Sequence, residues 1–162
     1  MKKFGLALFS IVVIALAAGY FVVNRNTGSD QDQIFTLIDR GRQSVESKSL
    51  DSAMSCVSKN CKDEGVMNYD RIKLLISEAF RSESKYEATV DTPAIEMEGT
   101  GKARAKAHVT VFAVRSDAKQ EVFSGDMTFL LTKERTRKYL IFPTHEWKVS
   151  GVEGLGRIFD LL

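Results

Sequence analysis

The sequence predicts an α+β domain, with helices packed on one face of a curved antiparallel sheet, behind an N-terminal transmembrane helix. Three observations carry this expectation. From Asp30 to Arg81 the apolar residues recur at helical spacing. From Tyr86 onward they alternate with polar ones, in segments joined by short turns. Before both, Phe4 to Val23 is an apolar run without a charged side chain.

At about 1.5 Å per residue, Phe4 to Val23 spans about 30 Å, the hydrocarbon thickness of a bilayer. Ser10 is the strongly polar side chain within it, and its hydroxyl can bond back to a helix carbonyl. Tyr20 and Phe21 suit the interface at one end. Lys2, Lys3 and the terminal amine flank one side, and Arg25 faces Asp30 and Asp32 on the other. The excess of positive charge before the run puts the N-terminus in the cytoplasm. Ala15-Leu16-Ala17 resembles a signal-peptide cleavage site. The apolar run continues through Val23, however, which favours a retained anchor, and no cysteine follows for lipid attachment. The expected organisation is therefore a cytoplasmic tip and signal anchor over 1–23, a polar linker over 24–29, a domain over 30–154 and an apolar tail over 155–162. The expected location is the bacterial inner (cytoplasmic) membrane, single-pass, with the domain on the periplasmic or extracellular side.

The anchor also explains the charge. The chain has 162 residues and a net charge of +2, with 23 Lys and Arg against 21 Asp and Glu. Lys2 and Lys3 supply that excess, so the exported domain is neutral. A neutral domain without a basic stripe argues against nucleic acid. Cys56 and Cys61 are the two cysteines, close together in Cys-Val-Ser-Lys-Asn-Cys. In an oxidising compartment that spacing suggests a local disulfide.

Within the domain, Ser29 and Asp32 make a plausible helix cap. Ile34, Leu37, Ile38, Gly41 and Val45 then line one face of a helix from about Asp30 to Ser47. Gly41 on that face suggests close packing against a neighbour. A shorter helix over about Leu50 to Val57 leads to the cysteine turn, and Lys59 to Gly65 reads as a loop. Asn68 caps a helix from about Tyr69 to Arg81, with Ile72, Leu75, Ile76, Ala79 and Phe80 as its apolar stripe.

The strands follow. Tyr86, Ala88 and Val90 alternate with polar residues, and so do Ile95 and Met97. Gly99-Thr100-Gly101 is a turn. Ala103, Ala105, Ala107, Val109, Val111 and Ala113 then alternate over a long strand, and Ser116 to Lys119 turns again. Phe123, Met127, Phe129 and Leu131 mark the next strand. Lys133 to Lys138 is a charged turn. Tyr139, Ile141, Trp147, Val149 and Val152 mark the last strand, where Pro143 implies an edge position or a bulge.

This order of elements resembles the nuclear transport factor 2-like, or cystatin-like cone, superfamily over about Asp30 to Gly154. The resemblance rests on the first amphipathic helix followed by Ser47-Lys48-Ser49-Leu50-Asp51-Ser52-Ala53-Met54, on the capped helix from Asn68 to Phe80, and on the closing Glu146-Trp147-Lys148-Val149 strand. It implies a cone-shaped sheet. It does not settle chemistry, because the superfamily holds isomerases, dehydratases, ligand carriers and pure interaction domains. Members with one N-terminal membrane helix include assembly subunits of bacterial secretion and transport machines.

Enzymes of this fold place an acid–base pair inside the cone, which makes His108, His145, Asp126, Asp70 and Tyr69 the residues to inspect. His108 is opposite in parity to Val109 and Val111, so it faces either the concavity or solvent. Asp126 after Gly125 reads as a bulge, and Asp70 as a partner of the helix dipole. No phosphate loop, metal cluster or Ser/His/Asp spacing is legible, and neither a cofactor nor a metal is expected.

The basic stretch Lys133, Arg135, Arg137 and Lys138 reads as a solvated hairpin tip, or as a contact for anionic lipid or an acidic partner. Leu155, Ile158 and Phe159 in the tail would pack on the sheet or dock on a partner. The expected function is a membrane-anchored interaction module, an accessory or assembly subunit of a membrane complex, with a membrane protein or a second copy as partner. The alternative is a small-molecule site or an isomerase- or dehydratase-type enzyme in the cone cavity, with His108, Asp126 and His145 as cavity residues.

Overall fold

The computed structural model describes residues 28–61, 68–82, 84–116, 118–138 and 142–154, with backbone alone at 137, 138, 142 and 143. The expected anchor, most of the linker and the apolar tail with Leu155, Ile158 and Phe159 lie outside the described residues. Among the described residues no helix is long and apolar enough to cross a membrane.

Helix α1 spans Asp30–Glu46. Ser29 starts it with a reciprocal cap: its hydroxyl accepts the Asp32 N–H at 3.2 Å, and the Asp32 carboxylate accepts the Ser29 N–H at 3.0 Å. These bonds satisfy two of the donors that a helix start leaves open. Helix α2 spans Leu50–Cys56 after the cap Ser49, and α3 spans Tyr69–Arg81 after the cap Asn68, whose side chain accepts the Arg71 N–H at 2.9 Å.

Strands β1 (Lys85–Val90), β2 (Ala94–Met97), β3 (Lys102–Arg115), β4 (Ala118–Lys138) and β5 (Phe142–Glu153) form one antiparallel sheet. β1 and β2 share one side of β3. β1 pairs with its C-terminal half, Val90 opposite Val109, and β2 with its N-terminal half, Ala94 opposite Lys106. β4 and β5 follow on the other side of β3. Two register shifts, one between Val111 and Phe112 and one between Leu130 and Leu131, bend the sheet. Pro143 falls on β5, an outer strand of the sheet, where its missing N–H is tolerated.

The helices cover one face. Ile34 and Leu37 from α1 and Cys56 from α2 pack with Ala103, Ala105, Leu131 and Trp147. The alanines of β3 let the helices come close, and Ala105 is 0% exposed. Alternation on β3 therefore separates an inner face, Ala103 to Val109 at odd numbers, from an outer face with Arg104, Lys106 and His108.

Three expectations need correction here. A Cβ at Gly41 would meet nothing within 4 Å, so no close approach explains that glycine. Gly125 and Asp126 pair regularly with Val109 and His108, and the bulge lies upstream, where Val122 is passed over between Glu121 and Phe123. Gly125 instead leaves room for the Phe123 ring, which would sit 3.3 Å from an added Cβ. Cys56 and Cys61 are not bonded to one another. Cys56 turns its sulfur into the core, where Sγ lies 3.5 Å from the Ser52 carbonyl oxygen and 4.0 Å from that of Leu37.

Candidate functional site

The register of β3 on β4 sets His108 opposite Asp126, and Thr110 opposite Ser124. All four side chains share the outer face, because each is an even step along its strand. His108 Nδ1 lies 2.8 Å from Asp126 Oδ1, and His108 Nε2 lies 3.1 Å from Ser124 Oγ. Ser124 Oγ is in turn 3.3 Å from Thr110 Oγ1. Sequence reasoning named His108 and Asp126 but missed Ser124. The signal was there: Ser124 and Asp126 alternate on one strand, so any residue opposite Asp126 also neighbours Ser124 on the diagonal.

The connectivity is that of a hydroxyl, an imidazole and a carboxylate in a row. Its surroundings limit what that row can do. The His108 side chain is 44% exposed and that of Asp126 94% exposed. Water at this face screens the charges and solvates any developing anion. The backbone N–H groups around Ser124 belong to a strand rather than to a turn that would aim two donors at one oxygen. The cluster lies on the face away from the helices, outside the concavity where it was sought. His145 stands apart, exposed on β5 opposite Arg135. Asp70 and Tyr69 belong to the first turn of α3. None of these joins the His108 cluster.

The rest of the outer face carries cross-strand ion pairs. Arg104 Nε meets Glu98 Oε1 at 2.7 Å, Lys106 Nζ meets Glu96 Oε1 at 3.3 Å, and Lys119 Nζ meets Glu87 Oε2 at 2.6 Å. Such exposed pairs fix register more than they stabilise.

The basic stretch of β4 divides. Lys133 is engaged: its ammonium donates to Asp30 at 2.6 Å and stands 5.8 Å from the centre of the Trp147 ring. Arg135 instead lines a depression between α2, the start of α3 and β4–β5. Lys59, Lys73 and Lys148 line it too, with Asp51 and Glu134 as its carboxylates. Lys148 donates to the Ser55 carbonyl at 2.7 Å and to Glu146 at 2.9 Å, and Glu134 accepts the Ser58 hydroxyl at 2.5 Å. Lys59 and Lys73 were not legible as partners of Arg135, since the fold alone brings these three segments together. The side chains of Arg137 and Lys138 lie outside the described residues.

Helix α3 is the third feature. Not one of its residues is buried. Ile72, Leu75, Ile76 and Phe80 are half-buried, and Leu74, off that stripe, is 58% exposed. Its C-terminal end is held by polar contacts: the Tyr86 hydroxyl donates to the Ala79 carbonyl at 3.2 Å and lies 2.8 Å from Ser82 Oγ.

No family model and no curated protein sequence matches the chain. Solved structures do match its shape. A nuclear transport factor 2-like superfamily protein from Salmonella enterica superposes with a TM-score of 0.59 at 18% identity, covering 78% of this chain and 94% of its own. A protein with a cystatin-like fold from Nostoc punctiforme gives 0.56 at 11% identity, over 78% and 90%. Aln2 from a Streptomyces species gives 0.60 at 9% identity, over 74% and 85%. The domain has the nuclear transport factor 2-like fold. At these identities the likeness shows the fold and carries no chemistry.

Proposed function

We propose that this protein is a membrane-anchored, extracytoplasmic interaction module, an accessory or assembly subunit of a membrane protein complex. One observation carries the reading: α3 is an amphipathic helix without a single buried residue. An apolar helix face left half-exposed is a common seat for a protein partner. The apolar run from Phe4 to Val23 supports a partner in the same membrane, since tethering raises the effective concentration of two proteins that share a bilayer. The cone-cavity enzyme finds less support. His108 and Asp126 sit on the outer face, and the inner face near Ala105 is filled by Ile34, Leu37 and Trp147.

The test is to express the full chain, wash membranes with alkaline carbonate, and crosslink before extraction in mild detergent. The expected result is retention in the carbonate pellet and a crosslinked species larger than the monomer, containing a membrane protein or a second copy. A carbonate-soluble chain would sink the anchored reading. A lone monomer after crosslinking would sink the assembly role.

A further inference from the structure

We infer that the basic depression between α2, α3 and β4 is a seat for the phosphate of an anionic phospholipid headgroup, at the surface of the membrane that holds the chain. The inference rests on the anchored reading above and names a second partner for it.

Placement is the first argument. Asp30, the first residue of α1, is tied to Lys133 at 2.6 Å and to Trp147 at 3.2 Å. These bonds fix the start of the domain to the end of the sheet that carries the β4–β5 hairpin. From Val23 to Asp30 the chain reaches about 25 Å at most. Arg135 lies two residues beyond Lys133 along β4, about 7 Å. A bilayer surface at the end of the anchor is therefore within reach of Arg135 and its neighbours. Lys85 and Arg115 are at the opposite end of the sheet, where β1 begins and β3 ends.

Chemistry is the second argument. Lys59, Lys73 and Arg135 face two carboxylates, Asp51 and Glu134, in one concave site, whose wall also holds Lys148, already donating to the Ser55 carbonyl and to Glu146. The Glu134 carboxylate already accepts a hydrogen bond from Ser58. Lys59, Lys73 and Arg135 arise from the turn after α2, from α3 and from β4, on a domain that is neutral as a whole, so their clustering is local. A guanidinium can bind two phosphate oxygens at once, while ammonium groups add point charge. The set therefore suits a phosphate group, the anion a phospholipid headgroup presents.

Full-length protein in neutral-detergent micelles, doped with phosphatidylglycerol or phosphatidylcholine, tests this by counting retained lipids in native mass spectra. Wild type should retain phosphatidylglycerol in preference. Lys73→Glu with Arg135→Glu should lower that retention by tenfold or more, at about fivefold per basic group. Lys85→Glu with Arg115→Glu makes the same charge change at the far end and should leave retention unchanged. Equal retention of both lipids, or equal losses in both variants, would overturn the proposal. So would binding of soluble glycerol 3-phosphate as tight as that of the lipid, which would assign the site to a free metabolite. The micelle measurement reads the seat whether or not Phe4 to Val23 resists carbonate, so the two readings can fail separately.

Discussion

Asp30 and Lys133, 103 residues apart in sequence, form an ion pair of 2.6 Å that closes the first turn of α1 onto β4. The Trp147 indole N–H adds a second bond to the same carboxylate oxygen at 3.2 Å. The Lys133 hydrogen bond is the main reason that the Asp30 carboxyl is held below the usual carboxylate range; burial opposes it, and Trp147 assists. A carboxyl depressed in the folded state contributes stability above its unfolded value, about 3.9, and loses it as pH falls through the folded value. Asp30→Asn should therefore cost about 0.5–1 kcal/mol at pH 7, a figure kept small because the Asp30 side chain is 39% exposed. Below the unfolded value the gap between variant and wild type should narrow as pH falls, so it should be smaller near pH 3 than at pH 7. Urea midpoints at the two pH values check this, and a gap that widened in acid would contradict it.

Cys56 should behave as a hidden, sluggish thiol. Burial pushes its ionisation up, against smaller opposing effects from Ser55, Arg40 and Lys148. The thiolate is the reactive form, so native protein at pH 8 should alkylate at this residue far more slowly than an unfolded peptide. After denaturation without reductant, Cys56 should label fully. Peptide mass spectrometry separates this outcome from a Cys56–Cys61 disulfide, which would block labelling until a reductant is added.

The inner face should punish both loss and gain of volume. Leu131 is 2% exposed and packs with Trp147, so Leu131→Ala should cost about 2–5 kcal/mol. Ala105 is 0% exposed beneath the helices, so Ala105→Leu should cost about 1–3 kcal/mol by overpacking. Chemical denaturation measures both. A neutral Ala105→Leu would mean that the sheet and the helices enclose more space than their packing shows.

These two positions were readable in the sequence, and others were not, for a physical reason. Alternation on β3 gives the buried alanines directly, because side-chain direction in a strand has period 2. The caps Ser29 and Asn68 and the bounds of α3 follow from local chemistry in the same way. Which side of the sheet the helices take, and which residue of β4 meets His108, depend on register. Register depends in turn on where the bulge falls, and no local signal distinguished Val122 from Gly125. The charged turn expected over Lys133 to Lys138 is strand, because its side chains find Asp30, Trp147 and Ser58 far along the chain. Such distant contacts leave no periodic trace.

The His108 cluster should be thermodynamically quiet. Asp126 is almost fully exposed, so its bond to His108 competes with water. His108→Ala and Ser124→Ala should each shift stability by no more than about 0.5 kcal/mol. Thermal unfolding of both variants tests this. A loss of several kcal/mol from either would show that the outer face is covered in the working protein.

Helix α3 gives the sharpest separation between stability and association. Leu74 is 58% exposed, so replacing it removes little burial, and Glu has a helix propensity close to that of Leu. Leu74→Glu should therefore leave the unfolding midpoint within about 0.5 kcal/mol of wild type. Its neighbours on the helix surface are Asp70 and Glu78 at four-residue spacing, so the new carboxylate adds only a small repulsion. Leu74 lies across the helix from the apolar stripe, so the variant probes a partner that wraps the exposed side of α3; there the same charge would be buried without a partner, which costs several kcal/mol. The full-length variant should thus fold normally and lose its crosslinked species in the membrane assay. If crosslinking persists undiminished, the Leu74 side of α3 is not the contact surface, and any contact is confined to the stripe of Ile72, Leu75, Ile76 and Phe80 across the helix. If folding fails as well, Leu74 supports the fold itself, and its side of α3 is not spare surface for a partner.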